Sequence, residues 1–164
     1  MPQTVATPLN ARWIVPVEPE GQVLERHALA IQEGRIVALL PQDQAATRFR
    51  AEVTLNLDRH VLLPGLINAH THASMSLLRG FADDLPLMRW LQDHIWPTET
   101  RWVDPEFVRD GSQLAMAEML RGGVTCFNDM YFFPEVTAAV ARACGMRACV
   151  GLIALDFPTA YARH

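Results

Sequence analysis

Cysteine is scarce in this chain of 164 residues, and none of its three copies forms a C-x-x-C pair. Cys126, Cys144 and Cys149 are odd in number and lie in apolar segments. A disulfide framework or a thiolate zinc cluster needs more thiols or a tighter spacing. We therefore expect reduced thiols buried in the core of a cytoplasmic protein.

Long apolar runs and an excess of positive charge are also missing. No apolar stretch approaches the roughly 20 residues of a membrane span. The N-terminus has no basic start followed by an apolar segment, so a secretory signal is not expected. The formal net charge is −4, which gives no electrostatic footprint for nucleic acid or an anionic membrane. We expect a small-molecule ligand, with neither nucleic acid nor membrane as partner.

Residues 1–63 alternate short strand patterns with turns. Glu33-Gly34, between ALAI and IVALL, predicts a β-hairpin. Further strand patterns lie at Arg12–Val17, Glu52–Leu57 and His60–Leu63. We interpret residues 1–63 as a small β-sandwich module that is incomplete without further strands.

Residues 64–164 change to alternating strands and helices. Strands are predicted over Gly65–His70, Val124–Asp129 and Arg147–Ala154. The continuous apolar run of the first indicates a strand buried on both faces. The order β-α-β-α-β implies right-handed parallel crossovers.

Three helical patterns connect these strands. Asp104-Pro105 and Pro134 are typical helix starts, and Gly122 and Gly145 are typical helix ends. The apolar faces predicted for the three helices are Leu85, Met88, Leu91 and Ile95; Val108, Gly111, Ala115 and Met119; and Val136, Ala139, Val140 and Ala143.

Three parallel strands with apolar faces begin either a doubly wound sheet or a (β/α)8 barrel. A barrel needs about 250 residues, and the sequence ends soon after the third predicted strand. We therefore expect the N-terminal part of a larger protein.

Two histidines follow the first predicted strand of residues 64–164, in the sequence PGLINAHTHA. Residues i and i+2 of a strand point to the same side, so the rings of His70 and His72 can reach one cation. Imidazole suits zinc, iron, nickel or copper better than magnesium or calcium. The carboxyl end of a parallel strand is also where barrel enzymes build their active sites. We predict a metal site at His70 and His72.

The run LLPGLINAHTHASMSLLRGFADDLPLMRWLQDHIWPTE resembles the amidohydrolase superfamily. Its LLRG-x-ADDLPL-x-x-WL and WP-x-E stretches are most similar to the 5-methylthioadenosine/S-adenosylhomocysteine deaminases and the related triazine hydrolases. The similarity extends over essentially the whole chain, from the EGRI hairpin to GGVTCFNDMYF. It implies an α/β fold, in which a small β-sandwich module precedes the first three β/α units of a metal-dependent (β/α)8 barrel.

The resemblance implies a hydrolytic deaminase that converts adenosine-type small molecules to inosine derivatives and ammonia. It assigns His70 and His72 to one divalent metal ion, zinc first, with iron, manganese or nickel as alternatives. It places the other ligands and the acid/base glutamate beyond His164, so no catalytic residue is expected in this chain. The chain alone should be inactive, and the complete protein should form a homo-oligomer.

Glu99 and Arg163 are the candidate substrate-binding residues. Glu99 matches the family glutamate that holds the substrate, and its carboxylate can accept hydrogen bonds from two ribose hydroxyls. The alternative is an exposed glutamate in the first turn of a helix, where the helix dipole favours it. Arg163 follows the third strand and could reach a substrate carboxylate. Trp90 and Trp96 could flank a purine or belong to the core.

Supporting roles are predicted for polar residues near the strand ends. We expect Asn68 and Thr71 to orient the strand end or the metal ligands. Asp129 ends the second strand and is expected at the top face, at a helix N-terminus or bonded to neighbouring backbone. His94 is near Glu99 in sequence, but we expect it outside the pocket.

Other functions stay open at this point. The same site would serve a triazine amino- or chlorohydrolase, or a guanine or cytosine deaminase, although Glu99 favours a ribose-bearing substrate. A truncated, non-catalytic piece and a metal-free β-module binding domain are hypotheses of other classes. The H-x-E and P-C-x-x-C motifs of zinc deaminases that act on nucleic acid are absent, which favours a free small molecule.

Overall fold

The computed structural model describes residues 3–4, 7–51, 53–156 and 158–162. The chain divides into two compact units, one ending at Pro64 and the other beginning at Gly65. Arg163, a predicted substrate-binding residue, lies outside the described residues. Every helix in the described ranges is too short or too polar to cross a membrane.

The first unit is built on a four-stranded sheet. In chain order its elements are β1 (Gln3–Thr4), β2 (Thr7–Ile14), β3 (Leu24–Gln32), β4 (Arg35–Pro41), α1 (Gln42–Arg48), β5 (Phe49–Arg50) and β6 (Leu55–Leu62). The sheet has the order β4-β3-β2-β6, with β2 and β6 parallel and the other pairs antiparallel. Strands β1 and β5 form a separate parallel pair.

The layer that packs on this sheet consists of α1 and β5. Ala45 of α1 and Phe49 of β5 form a buried cluster with Ala28, Ala30 and Leu40 of the sheet. Within the described ranges, the second layer therefore combines a helix with one strand of the β1-β5 pair. Completion of the module as a sandwich stays a prediction.

The predicted hairpin of the first unit is confirmed, and two strand boundaries are corrected. Glu33 and Gly34 join β3 to β4 with φ values of 50° and 72°, as a two-residue turn of mirror-image type requires. The strand predicted over Arg12–Val17 is β2, which begins earlier, at Thr7, and ends at Ile14; Val17 has a φ of 73°, which an extended strand does not adopt. The two predicted strands at Glu52–Leu57 and His60–Leu63 are replaced by one strand, β6 (Leu55–Leu62), whose pairing with β2 continues across a register shift, and Glu52 lies outside the described residues.

The second unit has the predicted alternation of strands and helices. Its elements are β7 (Leu66–Thr71), a 3-10 helix (Ala73–Leu78), α2 (Leu87–Arg89), a π-helical segment (Trp90–Ile95), α3 (Trp96–Trp102), α4 (Pro105–Arg121), β8 (Val124–Met130), α5 (Pro134–Cys144) and β9 (Arg147–Gly151). Strands β7, β8 and β9 form a parallel sheet in that order. Their carboxyl ends therefore lie at one edge of the sheet.

Strand β7 is more exposed than its apolar sequence predicts. Leu66 is 56% exposed and Ile67 is 72% exposed, so in the described residues this strand is not buried on both faces. The physical reason is that the sheet has three strands here, and β7 lies at its edge. Coverage of Leu66 and Ile67 by the rest of a barrel stays a prediction.

Helix α4 follows the predicted pattern. The side chain of Asp104 accepts a hydrogen bond from the backbone N–H of Phe107 at 2.8 Å, and Gly122 ends the helix. Val108 and Ala115 lie on its buried face, as predicted. Ala115 packs in one apolar cluster with Phe127 of β8, which fixes α4 against the sheet.

Three other predicted details of the second unit are wrong in part. The predicted helix is divided into α2, the π-helical segment and α3, so its residues do not share one regular face: Leu85 precedes α2 and Met88 is 51% exposed, whereas Ile95 is buried as predicted. In α5, Val140 is buried as predicted, but Ala139 and Ala143 are exposed, and the other buried residues are Pro134, Thr137 and Ala141. Strand β9 ends at Gly151, and Leu152 is 86% exposed.

The three cysteines are free, but two of them are not in the core. Cys144 and Cys149 are exposed, and Cys126 is partly buried. Cys144 is the last residue of α5, and Cys149 lies in β9 with an exposed side chain. Their apolar neighbours in sequence predicted burial, and this prediction is wrong for Cys144 and Cys149.

Gly111 allows α4 to approach the 3-10 helix closely. A Cβ atom on Gly111 would lie 2.7 Å from the Cα atom of Ser74, which is backbone and cannot move aside. We expect Gly111→Ala to lower the free energy of unfolding by about 1–3 kcal/mol, as overpacking does. Urea denaturation of the purified protein measures this.

Gly122→Ala is the matched control for Gly111→Ala. Its Cβ atom would meet Glu118 O at 3.4 Å, and its φ is −83°, so a side chain fits. We expect a change within about 0.5 kcal/mol. Equal losses in the two variants would contradict the close approach at Gly111.

Candidate metal centre and substrate pocket

His70 and His72 lie together at the carboxyl end of β7. Their Nε2 atoms are 3.4 Å apart, and the two rings meet edge to face. Two Zn–N bonds of about 2.0–2.1 Å at a tetrahedral angle place the nitrogen atoms about 3.3–3.4 Å apart. The pair therefore fits one shared divalent ion.

The tautomer of His72 is fixed by its neighbouring strand. Its Nδ1 atom lies 2.6 Å from the backbone carbonyl oxygen of Met130, the last residue of β8. A carbonyl oxygen only accepts hydrogen bonds, so Nδ1 carries the proton and donates it. The Nε2 atom then presents a lone pair, which is the usual arrangement of a metal-ligating histidine.

Asp129 of β8 binds the residues on both sides of His72, the backbone of Ala73 and the side chain of Thr71. Its Oδ1 atom accepts a hydrogen bond from the backbone N–H of Ala73 at 2.7 Å and one from the hydroxyl of Thr71 at 2.8 Å. Asp129 is 1% exposed, so water does not compete for these bonds. The prediction that Asp129 binds neighbouring backbone is confirmed. Asn68 Oδ1 likewise accepts from the backbone N–H of His70 at 3.4 Å.

Asp129→Ala should loosen the metal site. The change leaves the buried N–H of Ala73 without its acceptor, which costs about 1–3 kcal/mol, whereas the Thr71 hydroxyl keeps the Asn128 carbonyl oxygen as an acceptor at 3.0 Å. We expect the free energy of unfolding to fall by about 1–3 kcal/mol and the affinity for zinc to fall about 10- to 100-fold. Urea denaturation and competition with a zinc chelator measure the two effects.

Asp110→Ala is the control for Asp129→Ala. Asp110 is exposed on α4 and pairs with Arg109 at 3.2 Å, a surface contact worth about 0–1 kcal/mol. We expect the free energy of unfolding and the free energy of zinc binding each to change by no more than about 1 kcal/mol. If Asp129→Ala behaves like Asp110→Ala, the carboxylate of Asp129 does not hold the His72 segment.

Glu99 lies in the first turn of α3, but it is buried. It is 8% exposed, so the alternative of an exposed glutamate is wrong. The hydroxyl of Tyr131 donates to Glu99 Oε1 at 2.7 Å. Burial raises the pKa of Glu99, and the bond from Tyr131 and the nearby His72 offset this rise only in part. Burial also raises the pKa of Tyr131, with a further contribution from Glu99, so the phenol keeps its proton.

A cavity of about 220 Å³ lies between His72 and Glu99. Trp90 and Trp96, for which the sequence left two roles open, both line it. Most of the remaining wall is apolar or aromatic and is formed by Met75, Leu91, Ile95, Met130, Tyr131, Phe132 and Ile153. The cavity thus combines one buried carboxylate with flat apolar surfaces, which suits a heteroaromatic ligand that carries hydroxyl groups.

Sequence reasoning missed two groups of this site, the Tyr131 hydroxyl and the Met130 carbonyl. Both come from the end of β8, in the run GGVTCFNDMYF. A residue directly after the carboxyl end of a parallel strand is a candidate site residue, and this signal could have found Tyr131. His94 does not line the cavity, and its ring lies edge-on to Phe81 with centroids 6.1 Å apart.

No third protein ligand joins the two histidines in the described part of the chain. There, no group of three or more His, Cys, Asp and Glu residues could hold a metal ion. A catalytic zinc takes three protein ligands and a water molecule. His70 and His72 therefore form part of a ligand set.

The amidohydrolase family model matches residues 61–163, and the chain belongs to this family. The 5-methylthioadenosine/S-adenosylhomocysteine deaminase of Saccharophagus degradans is 55% identical over 151 residues, which are 92% of this chain and 34% of that protein. The chain thus spans about a third of the length of the curated relatives that it matches.

Solved structures agree with this assignment. An adenosine deaminase from Xanthomonas campestris with bound zinc superposes with a TM-score of 0.97 at 53% identity, over 99% of this chain and 37% of that chain. An atrazine chlorohydrolase from Arthrobacter aurescens gives a TM-score of 0.77 at 22% identity, over 89% of this chain and 35% of that one, which shows a shared fold alone. The predicted family and fold class are confirmed, and the chain corresponds to the N-terminal third of amidohydrolase barrel enzymes.

Proposed function

We propose that the protein containing this chain is a metal-dependent hydrolytic deaminase of adenosine-type nucleosides, with 5-methylthioadenosine and S-adenosylhomocysteine among its substrates. The observation that carries the proposal is one geometry: the Nε2 atoms of His70 and His72 converge to 3.4 Å, and a cavity joins His72 to the buried carboxylate of Glu99. The name of the Saccharophagus relative and the zinc of the Xanthomonas deaminase support it.

His70 and His72 would hold the metal ion through Nε2. Zinc is the first candidate because two imidazole nitrogens at this separation suit it, with iron, manganese or nickel as alternatives. When bound, such an ion supplies Lewis acidity and lowers the pKa of water toward 7. The remaining ligands and the acid/base glutamate are proposed to come from the rest of the protein.

The other residues of the site bind and orient the nucleoside. Glu99 accepts hydrogen bonds from the ribose hydroxyls, which leaves the base to lie between the flat walls of the cavity. Trp90 and Trp96 offer ring faces for that purpose. The apolar wall excludes water from the carboxylate of Glu99 and strengthens its hydrogen bonds.

Turnover by the intact protein tests this function. Zinc-loaded protein is given 5-methylthioadenosine, S-adenosylhomocysteine and adenosine, with guanine, cytosine, melamine and atrazine as alternative substrates, and ammonia or chloride release is measured. We expect turnover of the adenosine derivatives alone. Absence of turnover for every adenosine derivative would refute the proposal.

Two further parts of the proposal concern the whole protein. A cytoplasmic location fits the three free thiols at Cys126, Cys144 and Cys149, because a reducing compartment keeps thiols unpaired. A homo-oligomer is proposed from the family resemblance alone. The competing hypothesis is a truncated, non-catalytic piece. A reading frame that continues past His164 with further histidine and aspartate ligands favours the enzyme, and a stop codon there favours the piece.

A further inference from the structure

The end of β8 contacts both parts of the candidate site through two consecutive residues. The carbonyl oxygen of Met130 accepts the Nδ1 proton of His72 at 2.6 Å. The next residue, Tyr131, donates its hydroxyl proton to Glu99 Oε1 at 2.7 Å. One short segment of backbone therefore connects the metal ligand with the carboxylate that faces the substrate cavity.

The ring of Tyr131 is held in place by its packing. Tyr131 is 4% exposed and belongs to a buried cluster with Val103 and Val108. Its ring also lies against Phe132, with centroids 5.1 Å apart. Because this packing fixes the direction of the side chain, the hydroxyl oxygen has a set position, and Glu99 Oε1 lies within hydrogen-bond distance of it.

The hydrogen bond fixes the Glu99 carboxylate in turn. A glutamate side chain has three rotatable bonds, and ordering it when a ligand arrives costs free energy. With Oε1 engaged by Tyr131, one oxygen has a set direction, and Oε2 is the natural acceptor for a ligand hydroxyl. The carboxylate is thus oriented before a ligand binds.

We propose that Tyr131 is a positioning residue, which acts through Glu99 and orients its carboxylate toward the two ribose hydroxyls of the nucleoside. This inference rests on the proposed function. Tyr131 does not accept or donate a proton in the reaction, and its contribution is to substrate binding. A purely structural role, as a ring that fills the cluster with Val103 and Val108, is the competing explanation.

Tyr131→Phe in the intact, zinc-loaded protein separates these explanations, because phenylalanine keeps the ring and removes the hydroxyl. The probes are adenosine and 2′,3′-dideoxyadenosine, which lacks the 2′ and 3′ hydroxyls but keeps the 5′ hydroxyl. We expect KM for adenosine to rise about 10- to 100-fold, the range for loss of a hydrogen bond to a charged group. For the dideoxy analogue KM should change less than about threefold, and kcat and zinc content should be nearly unchanged for both substrates.

Tyr161→Phe is the matched control. The Tyr161 hydroxyl lies 3.4 Å from Glu135 Oε2, the residue is 43% exposed, and it does not line the cavity at Glu99. Both substrates should be turned over by this variant as by the unmodified protein.

If Tyr131→Phe also lowers the stability of the protein, a double-mutant cycle with Glu99→Gln still tests whether Tyr131 acts through Glu99. When Glu99→Gln is already present, Tyr131→Phe should raise KM for adenosine less than about threefold further, because the residue acts through Glu99. Equal losses for adenosine and the dideoxy analogue, or full additivity with Glu99→Gln, would overturn the inference while the unmodified protein stays active. An unmodified protein that deaminates no adenosine derivative would overturn the proposed function and this inference with it.

Discussion

Replacing His72 with alanine is expected to empty the metal site and to lower kcat/KM for adenosine derivatives by about 10³-fold or more in the intact protein. The Nε2 atoms of His70 and His72 are 3.4 Å apart and form one chelating pair, so loss of either ring leaves a single imidazole from β7. His70→Ala should therefore give the same result. After dialysis against a chelator, the metal content should fall from about one ion per chain in the unmodified protein to below about a tenth of an ion in the variant.

His60→Ala is the control for the His72 substitution. His60 lies in β6 with an exposed side chain, in the first unit of the chain. This variant should keep its metal and its activity. A His72→Ala protein that retains a full complement of zinc after the same dialysis would show that the ion binds elsewhere.

Glu99→Gln is expected to raise KM for adenosine about 100-fold while kcat falls less than about tenfold, because a site built to bind hydroxyls through a carboxylate loses a charged acceptor. Glutamine has nearly the same size, so the cavity keeps its shape. The amide replaces one acceptor oxygen by a donor group, which cannot accept a bond from a ribose hydroxyl. Steady-state kinetics with adenosine and 5-methylthioadenosine measure the effect.

Asp93→Asn is the control for Glu99→Gln. Asp93 lies in the π-helical segment just before α3, is exposed, and pairs with Arg89 at 3.5 Å. We expect KM to stay within about twofold, since a surface pair contributes little. If KM rises equally in the two variants, the effect comes from the loss of a negative charge in general and not from the hydrogen bonds that Glu99 makes.

The pH dependence of the protein's stability should also depend on Glu99. Its pKa is raised on folding, chiefly by burial, so the folded state binds the proton more tightly than the unfolded state. The contribution of Glu99 to stability is therefore fully present below its ordinary pKa of about 4.3 and is lost as pH rises through the folded value. Glu99→Gln should remove this loss, and urea denaturation between about pH 4 and 7 should show a flatter profile. An unchanged profile would mean that Glu99 is ionised as easily in the folded protein as in the unfolded chain.

The metal-binding strand could be predicted from the sequence because its information is local. Gly65–His70 is a short apolar run, and two-residue spacing alone places His70 and His72 on one side of the strand. The hairpin at Glu33-Gly34 is local in the same sense. Such features depend on a few neighbouring residues, and the structure confirms them.

The contacts that complete the site could not be predicted in this way. Glu99 and Tyr131 are 32 residues apart and meet only because α3 and the end of β8 pack near one another. The proton on His72 Nδ1 is directed by a backbone carbonyl, a group that every residue carries and that no motif marks. The π-helical segment divides the predicted helix, and regular helical spacing gives no sign of this division: Ile95 is buried as predicted, but Met88 is exposed.

Crystals of the intact zinc-loaded protein, measured on both sides of the zinc absorption edge, test the shared-ion geometry at β7 most directly. We predict one anomalous peak about 2.0–2.1 Å from the Nε2 atoms of both His70 and His72, with His72 Nδ1 still bonded to the Met130 carbonyl. A peak bound through Nδ1, or zinc bound with neither ring as a ligand, would contradict it.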